Sequence, residues 1–107
     1  MRQMKLITKA LEKVFAKYPL YSQENAGRNA KVLAKFFLPS TNCTWYVTEA
    51  ERQGDDWLFF GYVDMFEGEL GYFTLSQLQQ ARGRFGLRVE RDMYFTPVKT
   101  TLQDIMN

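Results

Sequence analysis

The side chains able to move a proton, hold a metal or grip a phosphate form a narrow set in this chain of 107 residues. Histidine is absent, which removes the commonest general base and the commonest zinc ligand together. Ser–His triads and histidine-based zinc hydrolase motifs are therefore excluded. The single cysteine, Cys43, has no partner for an internal disulfide, and nothing asks for an oxidising compartment. What remains is a run of carboxylates, Glu49, Glu51, Asp55, Asp56, Asp64, Glu67 and Glu69. Acids that converge can bind a hard divalent cation such as Mg2+ and so support metal-assisted phosphoryl transfer. Glu49 and Asp64 are the pair to test first for that chemistry. Glu51, Asp55 and Asp56, however, lie in or beside a turn, where acids serve solubility and turn formation. A solvated rim is the favoured reading, and neither a catalytic residue, a metal nor a cofactor is assigned.

The basic residues offer a second chemistry. Lys9, Lys13 and Lys17 repeat at i, i+4 and i+8, and on a helix they form one ridge facing water. Like charges at that spacing destabilise the helix slightly, so the ridge is either an ordinary solvated face or a surface for phosphate. Arg82, Arg84 and Arg88 cluster around Phe85, and basic groups interleaved with an aromatic suit single-stranded nucleic acid. An acidic protein partner would satisfy them equally well. Arg91 falls on the apolar side of the alternation Leu87, Val89, Arg91, Met93, Phe95. A buried charge needs a counter-ion, for which Glu49, Asp64 and Glu69 are the candidates; a bulge or a strand end is the equal alternative. The aromatics between Trp45 and Phe73 exceed what one face of a small sheet needs. Alternation sends Trp45 and Val47 to one face and Tyr46 and Thr48 to the other, so Trp45, Tyr46, Tyr62 and Tyr72 are the candidates for an interaction surface.

These groups must be positioned by elements that the pattern defines. Leu11, Val14, Phe15 and Tyr18 fall at i, i+3, i+4 and i+7, which predicts an amphipathic helix from Thr8, its N-cap, to Tyr18, before Pro19. The stretch LYSQENAGRN reads as a loop. Strand-like runs occupy residues 30–38, 43–51 and 57–66, the last two joined by a turn at RQGDD, and ELGYF adds a short strand. Thr74-Leu75-Ser76-Gln77 matches a capping box, with Phe73 and Leu78 as its hydrophobic staple. The helix it opens should break at Gly83. LRVERDMYF then alternates as a last strand before Pro97, and residues 100–106 read as a short terminal helix. The expected fold is α+β: an antiparallel sheet of four to five strands, an N-terminal helix, and a second helix inserted before the last strand. Residues 1–107 are expected to form a single domain.

Charge is uneven along the chain. Residues 1–42 carry eight bases against two acids, residues 43–73 one base against seven acids, and residues 74–107 five bases against three acids. No run approaches the roughly 20 apolar residues of a membrane span, and the N-terminus lacks the apolar core of a secretory signal. A cytoplasmic location without membrane contact is the expectation.

The segments KLITKALEK, PLYSQE, NCTWYVTEAE, DDWLFFGYV, ELGYFTLSQL and GLRVERDMYF resemble, in order and spacing from Lys5 to about Phe95, an uncharacterised bacterial family, the domain of unknown function numbered 2958. The chain departs from the family pattern at Cys43, where an aromatic is common, and at Ala50, where glycine is common. The resemblance implies a setting on plasmids, phages and conjugative elements. It implies no activity, cofactor or site residue. The reading that follows is a non-enzymatic accessory or binding protein that works by protein contact, with nucleic-acid binding through the lysine ridge and arginine cluster as the alternative. Metal-dependent phosphoryl transfer stands third.

Overall fold

A computed structural model describes residues 5–106. The amphipathic segment forms α1 (Lys9–Ala16), opened by Thr8, whose hydroxyl accepts the Leu11 amide at 3.1 Å. Leu11 and Phe15 are buried beneath it. Five strands follow: β1 (Ala34–Phe37), β2 (Thr44–Gln53), β3 (Asp56–Asp64), β4 (Gly68–Thr74) and β5 (Glu90–Arg91), with α2 (Leu75–Gln80) before the last and α3 (Leu102–Ile105) after it. The sheet is antiparallel throughout, in the order β4-β3-β2-β1-β5. One of its faces packs Phe36, Trp45, Val47, Phe59 and Phe73 against α1 and α2.

The pairing of β2 with β3 carries the main irregularity. Val47 faces Gly61 and Glu49 faces Phe60, so Thr48 is an extra residue in β2, a β-bulge. Strict alternation would put Glu49 on the face of Trp45 and Val47, in the core. The bulge turns Glu49 to the opposite face and returns Ala50 to the core beside Phe59. The Thr48 hydroxyl is satisfied by the Phe60 carbonyl at 3.1 Å. Gly61 belongs to the same device, because a Cβ there would run into the Tyr46 carbonyl oxygen.

Two expected strands are cut short. The run from 30 to 38 divides: residues 34–37 join the sheet and the Leu33 amide still donates to the Val47 carbonyl of β2, whereas residues 30–32 turn to the C-terminal tail. Lys31 bridges Thr101, the Val32 amide donates to the Thr100 carbonyl, and the Val98 amide donates to the Val32 carbonyl. The last strand, expected over LRVERDMYF, is reduced to Glu90–Arg91. Upstream, Arg88 bridges back to Arg82. Downstream, the Asp92 carboxylate accepts the Tyr94 amide at 3.0 Å and folds the chain into a turn. The tail then lies on the second face of the sheet, where Leu102, Ala30 and Val32 pack with Tyr46, Tyr62 and Phe95.

Helix α2 begins as its sequence dictates. The Thr74 hydroxyl accepts the Gln77 amide and the Gln77 side chain accepts the Thr74 amide; Phe73 and Leu78 are both buried. A contribution invisible in the sequence comes from Asp56, whose carboxylate accepts the Ser76 amide at 3.0 Å and the Ser76 hydroxyl at 2.7 Å. The Ser76 hydroxyl above all, with the amides of Trp57 and Ser76, holds the Asp56 carboxyl below its usual range against the opposing effect of burial. Because the folded value lies below the unfolded one, this stabilisation is present above the ordinary carboxylate range and is lost as pH falls through the depressed value. Replacing Thr74 by Ala should cost about 1 kcal/mol in urea unfolding at neutral pH. Asp56→Asn should also destabilise at neutral pH and make the loss of stability on acidification shallower, as read from melting temperature against pH.

Candidate functional site

The candidate residues from the sequence fall into separate places. Lys9, Lys13 and Lys17 are exposed on α1 and its C-cap. Arg82 and Arg88 sit at the end of α2 and both reach its last carbonyls: Arg82 donates to Gln79 at 2.7 Å and to Ala81 at 3.0 Å, and Arg88 to Gln79 at 3.4 Å. Cations at a helix C-terminus complement its dipole and orphan carbonyls, so two of the three arginines have a structural use. Arg84 stands over the ring of Phe85, which is 94% exposed with its backbone in the left-handed region, φ 60°.

Arg91 and its three candidate carboxylates are not brought together. Arg91 is on β5, next to Phe36 of β1, while Asp64 lies on β3 and Glu69 on β4. Three strand spacings of about 4.8 Å separate β5 from β3, well beyond ion-pair reach. Both oxygens of Glu49 are engaged elsewhere. The Arg91 guanidinium instead donates to the carbonyls of Lys5 and Leu6, at 2.9 and 3.2 Å, and ties the segment before α1 to the sheet margin. Ion pairs among the described residues include Lys35–Asp92 at 3.4 Å and Arg52–Glu12 at 3.3 Å. The carboxylates do not converge either. Glu49 pairs with Phe60 and Asp64 with Thr44, four residues apart along β3, or roughly 13 Å. Among the described residues no group of three or more His, Cys, Asp or Glu could hold a metal ion.

The aromatic set splits by face. Trp45, expected as part of an interaction surface, is buried against the core on the α1 side. Tyr46 and Tyr62 are half-buried under the C-terminal tail, their ring centroids 6.4 Å apart. Burial above all, and then the nearby charges of Asp64 and Asp92, pushes the Tyr46 phenol up. Tyr72, near the outer edge of the same face, is 53% exposed and Leu70 beside it 50% exposed.

The second face carries a cleft of about 250 Å³. Phe60, Leu70 and Tyr72 supply its sheet side; Tyr21, Gln23 and Glu24 come from the loop after α1, and Leu102 from the tail. Glu49, only 3% exposed, lies among them. Its carboxylate fastens the loop to the sheet, accepting the Tyr21 amide at 2.8 Å and the Gln23 amide at 2.9 Å. Gln23 adds a second clasp. Its side-chain amide donates to the carbonyls of Thr48 and Lys31 and its oxygen accepts the Lys31 amide, all at 2.7–2.8 Å. The loop thus replaces β1 along the edge of β2 beyond Val47, where the Tyr18 carbonyl also accepts the Ala50 amide at 3.0 Å. Tyr21 holds this place with φ 74°, a left-handed conformation unfavourable for a residue with a side chain. Donation of the Tyr72 hydroxyl to the Tyr21 side chain first, then burial and the charges of the Tyr21 phenol, Glu49 and Glu24, raises the Tyr72 phenol above its ordinary value.

Tyr21, Gln23, Glu24 and Leu70 were not among the residues marked by the sequence, and Phe60 only as one of the surplus aromatics. The loop has no periodicity, and its contacts with β2 span 25 to 28 residues, so no local signal announces them. Glu49→Ala should leave two amides without acceptors and destabilise the protein by about 2–4 kcal/mol in denaturant unfolding. The Tyr21 and Gln23 amides should lose most of their hydrogen-exchange protection in that variant, while the core strands lose protection only in step with global stability.

No curated protein and no solved structure matches the chain. A family described as "Protein of unknown function (DUF2958)" has a sequence model that matches residues 6–104. That span takes in α1, the whole sheet, and the loop and β2 residues that build the cleft, and the chain belongs to this family.

Proposed function

We propose that the protein is a non-enzymatic accessory protein of mobile genetic elements, acting in the cytoplasm by contact with another protein, and that the contact surface is the cleft face of the sheet. The observation that carries this reading is the group Tyr21, Leu70 and Tyr72. All three are at least half exposed and they line one concavity. An apolar and aromatic patch around a depression is the usual anatomy of a binding surface. It reaches β4, one of the two edge strands of the sheet. No helix among the described residues is long and apolar enough to cross a membrane.

Nucleic-acid binding is the second reading, favoured by one observation: Phe85 projects into solvent with Arg84 over its ring. Against it stands the engagement of Arg82 and Arg88 with the end of α2.

Capture from the native host separates the two. Protein bound by the immobilised wild type should fall about thirtyfold in affinity with the double change Leu70→Glu and Tyr72→Glu, as expected for loss of a hot spot. It should be unaffected by Lys13→Glu, Lys17→Glu and Arg84→Glu together. Retention of nucleic acid that declines steeply with salt and disappears with the charge reversals would overturn the protein-contact reading.

A further inference from the structure

We propose that the cleft on the second face receives a cationic side chain of the partner protein, an arginine or a lysine, between the rings of Tyr21, Phe60 and Tyr72 and the carboxylates of Glu49 and Glu24. The inference rests on the protein-contact reading and names the chemistry that the partner must present.

Three features of the cleft converge on a cation. The first is its aromatic lining. Phe60 and Tyr72 meet edge to face, with centroids 5.0 Å apart and planes at 64°, so they make a corner rather than a flat stack. Tyr21 stands on the loop side, held there by the left-handed turn of its own backbone. Ring faces attract a cation placed within about 6 Å of the centroid, and more strongly where water is displaced.

The second feature is the placement of acid. Glu49 is almost wholly buried, yet each oxygen accepts one amide, and a carboxylate oxygen offers two acceptor positions. Glu24, also lining the cleft, is exposed. Among the described residues no lysine or arginine lines it. An anionic ligand would be repelled, and a wholly apolar one would leave the carboxylates unanswered. A guanidinium or ammonium satisfies both the acids and the rings.

Size supplies the third argument. About 250 Å³ is below the usual range of about 300–1,000 Å³ for a small-molecule or cofactor site, and suits one long side chain reaching in from a larger body. A divalent metal is a poor alternative, since hard ions such as Ca2+ and Mg2+ take six or more oxygens and no group of three or more His, Cys, Asp or Glu that could hold a metal is present among the described residues.

The test uses the 15N-labelled full chain and three capped pentapeptides, Ac-Ala-Ala-Xaa-Ala-Ala-NH2, with arginine, lysine or citrulline at the centre. Citrulline has nearly the shape of arginine without its charge. The arginine and lysine peptides should give saturable shifts at the amides of Tyr21, Gln23 and Tyr72, and the citrulline peptide should bind at least tenfold more weakly. Tyr72→Leu and Glu24→Gln alter exposed side chains and should each weaken arginine-peptide binding by about threefold to thirtyfold. Glu49→Gln is avoided because it disturbs the clasp of the loop. Equal binding of arginine and citrulline peptides, shifts that map elsewhere, or indifference to both variants would overturn the proposal. If capture of the host partner is lost with the Leu70 and Tyr72 changes while the peptides behave alike, protein contact stands and the cation inference fails. If the peptides discriminate while capture is unchanged, the protein-contact reading fails and the cleft keeps its preference for a cation.

Discussion

The cleft face depends on the way Glu49 is kept out of the core. One extra residue in β2, Thr48, turns the carboxylate away from Trp45 and Val47 and towards the loop after α1. Without that shift, a charged group would face the apolar layer of Phe15, Phe36 and Phe59, where burying it is costly. With it, the carboxylate becomes a fastening. Two loop amides find acceptors, the loop lies along the edge of β2 that β1 has left, and a concavity opens between loop and sheet. Gly61 is the steric counterpart, since the Tyr46 carbonyl passes where a side chain would begin.

The two faces of the sheet are built on different principles. The face under α1 and α2 is apolar and tightly packed, with aromatic contacts running through Phe15, Trp57, Phe59 and Phe73. The second face is assembled from a loop, a tail and the outer strands, held by polar clasps such as Glu49, Gln23 and the hydrogen bond of Arg28 to the Met106 carbonyl. The acidic stretch of the sequence does not gather into one patch. Glu51 and Asp55 lie at the hairpin turn of β2 and β3, whereas Asp64, Glu67 and Glu69 lie at the opposite end, around the turn into β4. Charge that is segregated along the chain is thus divided in space.

Much of the architecture was legible because its signals are local. The capping box at Thr74, the stripe of Leu11 and Phe15, and the turn at Gly54 each act within a few residues and appear where the pattern places them. Family and fold class followed from the same local motifs. The strand limits did not, because alternation cannot tell a ladder within the sheet from one with a distant tail, and residues 30–32 chose the tail. Period-two counting also breaks down at a bulge: continued past Val47 it would put Glu49 on the wrong face, and Arg91 was matched to acids several strands away. The cleft itself was hidden, since Tyr21 and Gln23 belong to a segment whose only sequence character is that of a turn.

The bridge between Lys31 and Thr101 joins residues seventy positions apart. Closing so long a loop is entropically slow, while the β2–β3 and β3–β4 hairpins need only short closures. The β2–β3–β4 meander therefore has the means to form before the tail docks, whereas β5, whose Arg91 pairs with Phe36, also needs a long closure. Docking the tail brings Ala30, Val32 and Leu102 into one buried cluster on the second face. Because Leu102 of the tail lines the cleft together with the sheet, a partner seated there would touch both and hold the tail against release.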